Sequence, residues 1–240
     1  MKLPIYPSAV YSFLEFIKRY EKVSDEELGR KILDCGAGGK NPPLGLFNDY
    51  GFETYGIDIS QKQIDAALQF AEENDMELKI TLGDMRELPF EDELFDFVYE
   101  YYSMVHLSKS DTKVAISEMS RVLRSGGFLF LGFMSFETWP IHGEEKQSGE
   151  FWMEEDGESI VHSFFKDDEI LSFLDDFTLY QMEKRTQRYP WRFRELPKEY
   201  WLSMFDDSWT SYSSAEWEEM YDQIEEKQKY THSFFILRKK

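Results

Sequence analysis

Cysteine is almost missing: Cys35 is the only one, so no internal disulfide can form, which suits a reducing cytoplasm. Basic residues are also scarce. There are 27 Lys and Arg against 47 Asp and Glu, and the net charge is −20. A protein that grips phosphate backbones needs a basic footprint, so nucleic acid is not an expected partner, and neither is an anionic membrane surface. Long apolar runs are lacking too. Glu15, Lys18 and Arg19 interrupt the apolar residues near the N-terminus, so no signal-peptide core and no membrane span are expected. The four histidines include no pair at metal-ligand spacing, no serine sits in a nucleophile elbow, and no metal site is expected. No internal repeat or Pro/Gly/Ser linker divides the chain. Tryptophan is confined to positions after 138: Trp139, Trp152, Trp191, Trp201, Trp209 and Trp217.

What is present is an alternating pattern. Pro7-Ser8 opens a helix with Val10, Phe13, Leu14 and Ile17 on one face. "KILDC" is a strand that breaks into a loop with Gly36, Gly38 and Gly39. Helix 44–50, closed by Gly51, leads to strand "ETYGIDI". A helix follows with Ser60 and Gln63 spaced as a capping box. "ELKITLGD" and "FDFVYEYY" are the third and fourth strands. Helix 111–123 is stopped by Ser125-Gly126-Gly127, and "GFLFLGFMS" is the fifth strand. Strands alternating with helices imply right-handed βαβ units and a parallel sheet, hence an α/β, doubly wound fold.

Past Ser135 the rhythm changes. "GEFWMEEDGESIVHSFF" predicts a β-hairpin turning at Asp156-Gly157. "KDDEILSFLDDF" predicts a helix, "TLYQMEKRTQRY" a strand, residues 190–222 mostly helix, and "THSFFILRKK" a last strand. The expected organisation is one domain over 1–240, with a core at about 28–136, 161–189 and 228–240 and insertions at about 137–160 and 190–227. The insertions, rich in tryptophan, are expected to form a lid over the carboxyl edge of the sheet, with an aromatic ring in the acceptor pocket.

A glycine loop after a first strand is a place for a nucleotide-like ligand, because glycine lets another molecule approach the backbone. Asp58 ends the second strand, 20 residues after Gly38, where a carboxylate can accept both hydroxyls of a ribose. Asp84 ends the third, where it can accept an exocyclic adenine amine while the Met85 amide faces a ring nitrogen. An aspartate after a strand is commonly only a cap or turn residue. The three features together are more telling than any one.

The segments "ILDCGAGG", "YGIDIS", "GDMRELPF", "FDFVYEYYSMVHL" and "EMSRVLRSGGFLFLGF" resemble the class I S-adenosylmethionine-dependent methyltransferases, in particular the small-molecule group. The likeness covers roughly residues 30–136. It implies a Rossmann-like seven-stranded sheet with the last strand antiparallel, the cofactor S-adenosylmethionine, the product S-adenosylhomocysteine and a small-molecule acceptor. It implies a cofactor site begun by Asp34 and carried on through Gly36, Ala37 and Gly38 under the methionine part. Asp58 would bind the ribose, with Ile59 and Gln63 beside it, and Asp84 and Met85 would meet the adenine. Glu100 and Tyr101 would lie near the sulfonium and the acceptor. The chain departs from the family loop at Lys40, which stands where a third glycine is usual. "NPP" at 41–43 follows the first strand rather than the fourth, so it reads as a helix entry without catalytic weight.

The sulfonium methyl is already activated, so the protein must chiefly align an acceptor and exclude water. If the acceptor must lose a proton, His106 is the best-placed base and His162 a weaker one. Either histidine can equally be a packing residue, and Cys35 reads as a small buried side chain. Three other readings stay open. A nicotinamide dehydrogenase would need a glycine where Asn41 stands. An aminopropyl transferase would suit the negative charge but needs an acidic pair after the fourth strand, where only Glu100 is found. A non-catalytic cofactor-binding protein would keep the same loop. Monomer and homodimer are both compatible with the sequence.

Overall fold

The computed structural model describes residues 5–139, 141, 143–155, 158–188, 215 and 229–240. Apart from Ala215, the expected helical stretch 190–222, with Trp191, Trp201, Trp209 and Trp217, lies outside the described residues, as do the turn residues Asp156 and Gly157.

Helix α1 (Ser8–Ser24) precedes β1 (Lys31–Cys35), α2 (Leu44–Asp49), β2 (Glu53–Asp58), α3 (Gln61–Glu73), β3 (Lys79–Leu82) and β4 (Phe95–Tyr99). A 3₁₀ turn, Ser103–His106, leads to α4 (Lys109–Val122) and β5 (Leu123–Met134). Then come β6 (Glu144–Gln147), β7 (Glu150–Glu155), β8 (Glu158–Ser163), α5 (Asp167–Leu171), β9 (Phe177–Gln187) and β10 (Tyr230–Lys239). The main sheet has seven strands in the order β3-β2-β1-β4-β5-β10-β9. β10 runs antiparallel to both neighbours, while β1 to β5 pair in parallel. This is the expected doubly wound sheet with an antiparallel last strand.

Alternation along the strands sorts the core into two layers. Ile32, Phe97, Phe128 and Phe130 face α1, α2 and α3. Leu33, Val98, Leu129 and Leu131 face α4 and α5. Phe13 of α1 is fully buried and its ring lies 5.3 Å from Phe130 and 6.1 Å from Phe47. Each such side chain contributes about 1.5–3 kcal/mol through burial.

Several boundaries differ from the sequence reading. α4 starts at Lys109, because the Ser108 side chain accepts the Asp111 amide at 3.0 Å. β5 starts at Leu123, and the expected stop at Ser125-Gly126-Gly127 is a bulge within it, with Gly126 at φ +75°. The helix expected over 166–177 is regular only from Asp167 to Leu171. The hairpin gains a third strand, β6, and forms a separate sheet β6-β7-β8. Ser60 makes no side-chain cap. Asp58 accepts the Ser60 amide at 2.8 Å instead, which replaces the expected capping box.

The strand order reverses between β1 and β4, whose carboxyl ends diverge. In such sheets a ligand binds outside the carboxyl ends at this point.

Candidate functional site

The loop after β1 is shaped by glycines that no other residue could replace. Gly36 and Gly39 take φ of +110° and +104°. A Cβ on Gly38 would sit 2.5 Å from both Asp58 Oδ2 and Gln63 Cβ. The loop's amides are all spent within the protein. Gly36 and Ala37 both donate to the Ile57 carbonyl at 2.9 Å, Gly38 donates to Asp58 Oδ2 at 2.9 Å, and Gly39 donates to the Gln63 carbonyl at 2.9 Å. A pyrophosphate needs free amides aimed at it. This loop offers the flat faces of glycines instead, so the dinucleotide reading loses its anchor.

Two hollows meet at Gly36 and Gly38. The larger, about 560 Å³, is lined by Ile57, Asp58, Ile59, Gln63, Asp84 and Met85 on one side. Tyr102, Ser103, His106 and Leu107 after β4, together with Trp152 and Val161 of the hairpin, form its other wall. Asp58 braces the loop through one carboxylate oxygen and the turn into α3 through the other. Ile59 is 72% exposed and presents an apolar surface beside it. Asp84 is gripped by Arg86, whose Nε and Nη2 reach its carboxylate at 3.0 and 2.6 Å. That guanidinium holds the Asp84 carboxyl below the usual carboxylate range. Arg86 also reaches Asp111 of α4 at 3.3 Å.

The second hollow, about 510 Å³, is lined by Asp34, Tyr99 and Tyr101 from the sheet and by Ile5, Tyr6 and Pro7 from the start of the chain. Asn41 secures that N-terminal segment by donating to the Ile5 carbonyl at 2.9 Å. Three buried polar atoms on residues lining this hollow have no hydrogen-bond partner: Asp34 Oδ2, Tyr6 OH and Tyr99 OH. Burial, with Glu100 and Asp58 nearby, pushes the Asp34 carboxyl well up. Leaving such groups bare costs about 1–3 kcal/mol each. Asp34 and Tyr99 are paired neighbours on β1 and β4, where a ligand carrying N–H donors or positive charge would satisfy them, whereas the Tyr6 hydroxyl lies against Gly45 of α2.

Not every expected residue faces the hollows. Ala37 is buried, with its Cβ against Gly56, and is packed rather than presented. Glu100 is fully buried and lines neither hollow. Its carboxylate accepts the Met104 amide at 2.9 Å and the Gly132 amide at 3.4 Å, which ties the 3₁₀ turn to β5. Burial raises its pKa to about 8, against the pull of those amides. Tyr101 stacks between Tyr99 and Phe234 at 6.4 and 5.9 Å. Lys40 is exposed and lines neither hollow. Cys35 is buried and its thiol is pushed up by burial, so it is no nucleophile. Among the described residues no group could hold a metal ion.

Among the lining residues that escaped the sequence reading are Arg86, Tyr102, Ser103 and Asp111 of the first hollow and Tyr6 and Tyr99 of the second. Tyr102 has φ +74°, rare for a bulky residue, and its ring lies 4.5 Å from both Tyr101 and His232. The signal was the run "EYYS" where the strand stops. Trp152 lines the cleft as expected of one aromatic, but Lys146 already lies over its ring at 4.8 Å.

A "Methyltransferase domain" family model matches residues 33–131, from β1 into β5. Over these residues the chain is similar to the S-adenosylmethionine-dependent methyltransferases. It is 33% identical over 112 residues to methyltransferase GfsG of Streptomyces halstedii, covering 46% of this chain and 39% of that one. It is 29% identical over 140 residues to sarcosine/dimethylglycine N-methyltransferase of Aphanothece halophytica, covering 57% and 49%. The matches thus span less than half the length of these relatives. A S-adenosylmethionine-dependent methyltransferase structure from Methanosarcina mazei shares the fold, with a TM-score of 0.65 at 18% identity over 99% of both chains.

The cofactor of this family is S-adenosylmethionine, and the residues present fit it. Asp34 and Tyr99 would hold the charged amino-acid end, and the glycine faces of Gly36 and Gly38 would carry the chain between the hollows. The Asp58 carboxylate and Ile59 would meet the nucleoside.

Proposed function

We propose that the chain transfers a methyl group from S-adenosylmethionine to a small-molecule acceptor. The observation that carries this reading is the pair of bare, buried polar atoms, Asp34 Oδ2 and Tyr99 OH, on residues lining a hollow that joins the cleft over an amide-saturated glycine loop. When bound, the cofactor supplies a methyl group activated by positive sulfur. The protein's own part is to orient and to exclude water. Asp58 fixes the loop, while Asp84, with Arg86 on its carboxylate, shapes the nucleoside end. Tyr102, held in a strained backbone, and Trp152 and Val161 of the hairpin wall off the side where an acceptor enters. His106, on the 3₁₀ turn, is the group in that wall able to take a proton. The relative named for sarcosine and dimethylglycine supports an acceptor of small size. The charge of −20 supports a non-nucleic-acid substrate, and the lone buried Cys35 fits a cytoplasmic setting.

Calorimetry with S-adenosylhomocysteine, S-adenosylmethionine and NAD tests the cofactor. The first two should bind and NAD should not. Radiolabelled S-adenosylmethionine with a pool of amines, phenols and carboxylates then tests transfer. Cofactor binding with no labelled product from any pool would point to a non-catalytic binder. Consumption of the decarboxylated cofactor alone would point to aminopropyl transfer.

A further inference from the structure

Arg86 lines the cleft from the turn after β3, and its side chain donates to carboxylates on either side. The Asp84 carboxylate, just past that strand, takes its hydrogen bonds from Arg86. Its Oδ1 accepts the Arg86 amide at 2.9 Å and Nε at 3.0 Å. Its Oδ2 accepts Nε at 3.0 Å and Nη2 at 2.6 Å. A carboxylate has about four lone-pair sites, so these contacts leave none to spare. A guanidinium fork on a carboxylate is directional as well as charged.

The far end of the fork is tied as well. Arg86 Nη1 donates to Asp111 Oδ2 of α4 at 3.3 Å. Asp111 is itself placed by Ser108, whose Oγ accepts its amide at 3.0 Å. Arg86 therefore spans from the end of β3 to the first turn of α4. The Met85 amide, between Asp84 and Arg86 in sequence, is different. It donates to no group among the described residues. Met85 and Asp84 line the same hollow as Asp58 and Ile59. At the base end of that hollow one backbone donor is open, and the side-chain acceptor is filled.

A partly exposed ion pair adds little to stability. Its effect on recognition is larger. An incoming N–H gains only the difference between its own hydrogen bond and the one that it displaces. An amine that meets Asp84 must displace a charged donor, so its net gain is small.

We propose that Arg86 is a specificity-determining residue: by filling the Asp84 carboxylate it takes the exocyclic amine of adenine out of recognition. The site then reads the nucleoside through Asp58 and the Met85 amide, and it admits purines that lack the amine. This rests on the S-adenosylmethionine reading above. The ring nitrogen beside the amine accepts a hydrogen bond with or without it, so the Met85 contact survives its loss. Removing Arg86 reopens both Asp84 oxygens, and the amine then gains a hydrogen bond to a bare charged acceptor.

Calorimetry on the full chain tests this with two ligands. One is S-adenosylhomocysteine, and the other is its analogue with purine in place of adenine, hydrogen standing where the amine was. The wild type should bind both, with dissociation constants within about threefold of each other. Arg86→Met keeps an unbranched stem and removes the donors. Its preference for the amine should rise to about tenfold or more, the change expected for a hydrogen bond to a charged acceptor. Adding Asp84→Ala to Arg86→Met should return the ratio to the wild-type range, and Asp84→Ala alone should leave it there. A merely structural role for Arg86 would weaken both ligands together and leave the ratio unmoved.

A wild-type preference for the amine of about tenfold or more would overturn the proposal, and that measurement needs no variant to fold. An Arg86→Met chain that binds the two ligands as evenly as the wild type would also overturn it. So would a gained preference that persists without Asp84. Failure of the wild type to bind S-adenosylhomocysteine would instead sink the cofactor reading, so the two failures are distinguishable.

Discussion

Glu100 makes the chain's stability depend on pH in a calculable way. Its carboxyl is fully buried, and its pKa rises from 4.5 to about 8 on folding. Between these values the folded state holds a proton that the unfolded state has lost. Stability must therefore be full below about pH 4.5 and fall as pH climbs through about 8. At about 1.36 kcal/mol per pH unit the whole effect is about 5 kcal/mol, of which about 2.7 kcal/mol falls between pH 6 and pH 9. Glu100→Gln keeps an oxygen for the Met104 amide and removes the charge. Urea unfolding followed by tryptophan fluorescence, at pH 6 and pH 9, compares the two proteins. With a denaturant slope of about 2–3 kcal/mol/M, the wild-type midpoint should fall by about 1 M more than that of the variant. Asp34 is also pushed up by burial and remains in both proteins. Its own pH dependence is relieved when the Glu100 charge goes, which adds in the same direction. Midpoints that fall in parallel in the two proteins would refute the reasoning.

Asp58→Ala removes the acceptor of the Gly38 and Ser60 amides. Hydrogen bonds to a charged group are worth about 1.5–3 kcal/mol each, so S-adenosylhomocysteine affinity should drop about tenfold to a hundredfold or more by calorimetry. An unchanged Kd would take Asp58 out of the site. Gly38→Val puts a branched side chain where even a Cβ meets Asp58 Oδ2 at 2.5 Å. Product binding should be lost while circular dichroism stays native, and retained binding would show that the loop yields. Asp34→Asn removes a bare buried carboxyl whose ionisation burial opposes, so at high pH the variant should be more resistant to heat yet bind product more weakly. A variant weaker in both respects would mean that Asp34 serves the fold and not the ligand.

Local rules determined a good deal from the sequence alone. The period-two alternation of "FDFVYE" and "GFLFLGF" and the helical spacing of Val10, Phe13, Leu14 and Ile17 state which face is buried, whatever they pack against. Gly36 and Gly39 mark positive φ, because few other residues tolerate it, and the order of strands and helices leaves little choice but a parallel sheet. That Asp58 and Asp84 end adjacent strands follows from the same order.

Tertiary structure decided what those residues do. Ser60 and Gln63 have the spacing of a cap, but Asp58 lies closer to the free amide and takes it. The glycine loop looks open in sequence, yet Ile57, Asp58 and Gln63 consume its amides from other elements. Glu100 looks like a cleft residue at a strand end, but the chain turns at Tyr102 and aims the carboxylate at backbone 32 residues away in β5. His106 and His162 meet only because the hairpin docks on the turn after β4. Periodicity and backbone preference act over a few residues and can be read along a chain. Competition for a hydrogen bond is settled between groups that only the folded sheet brings together.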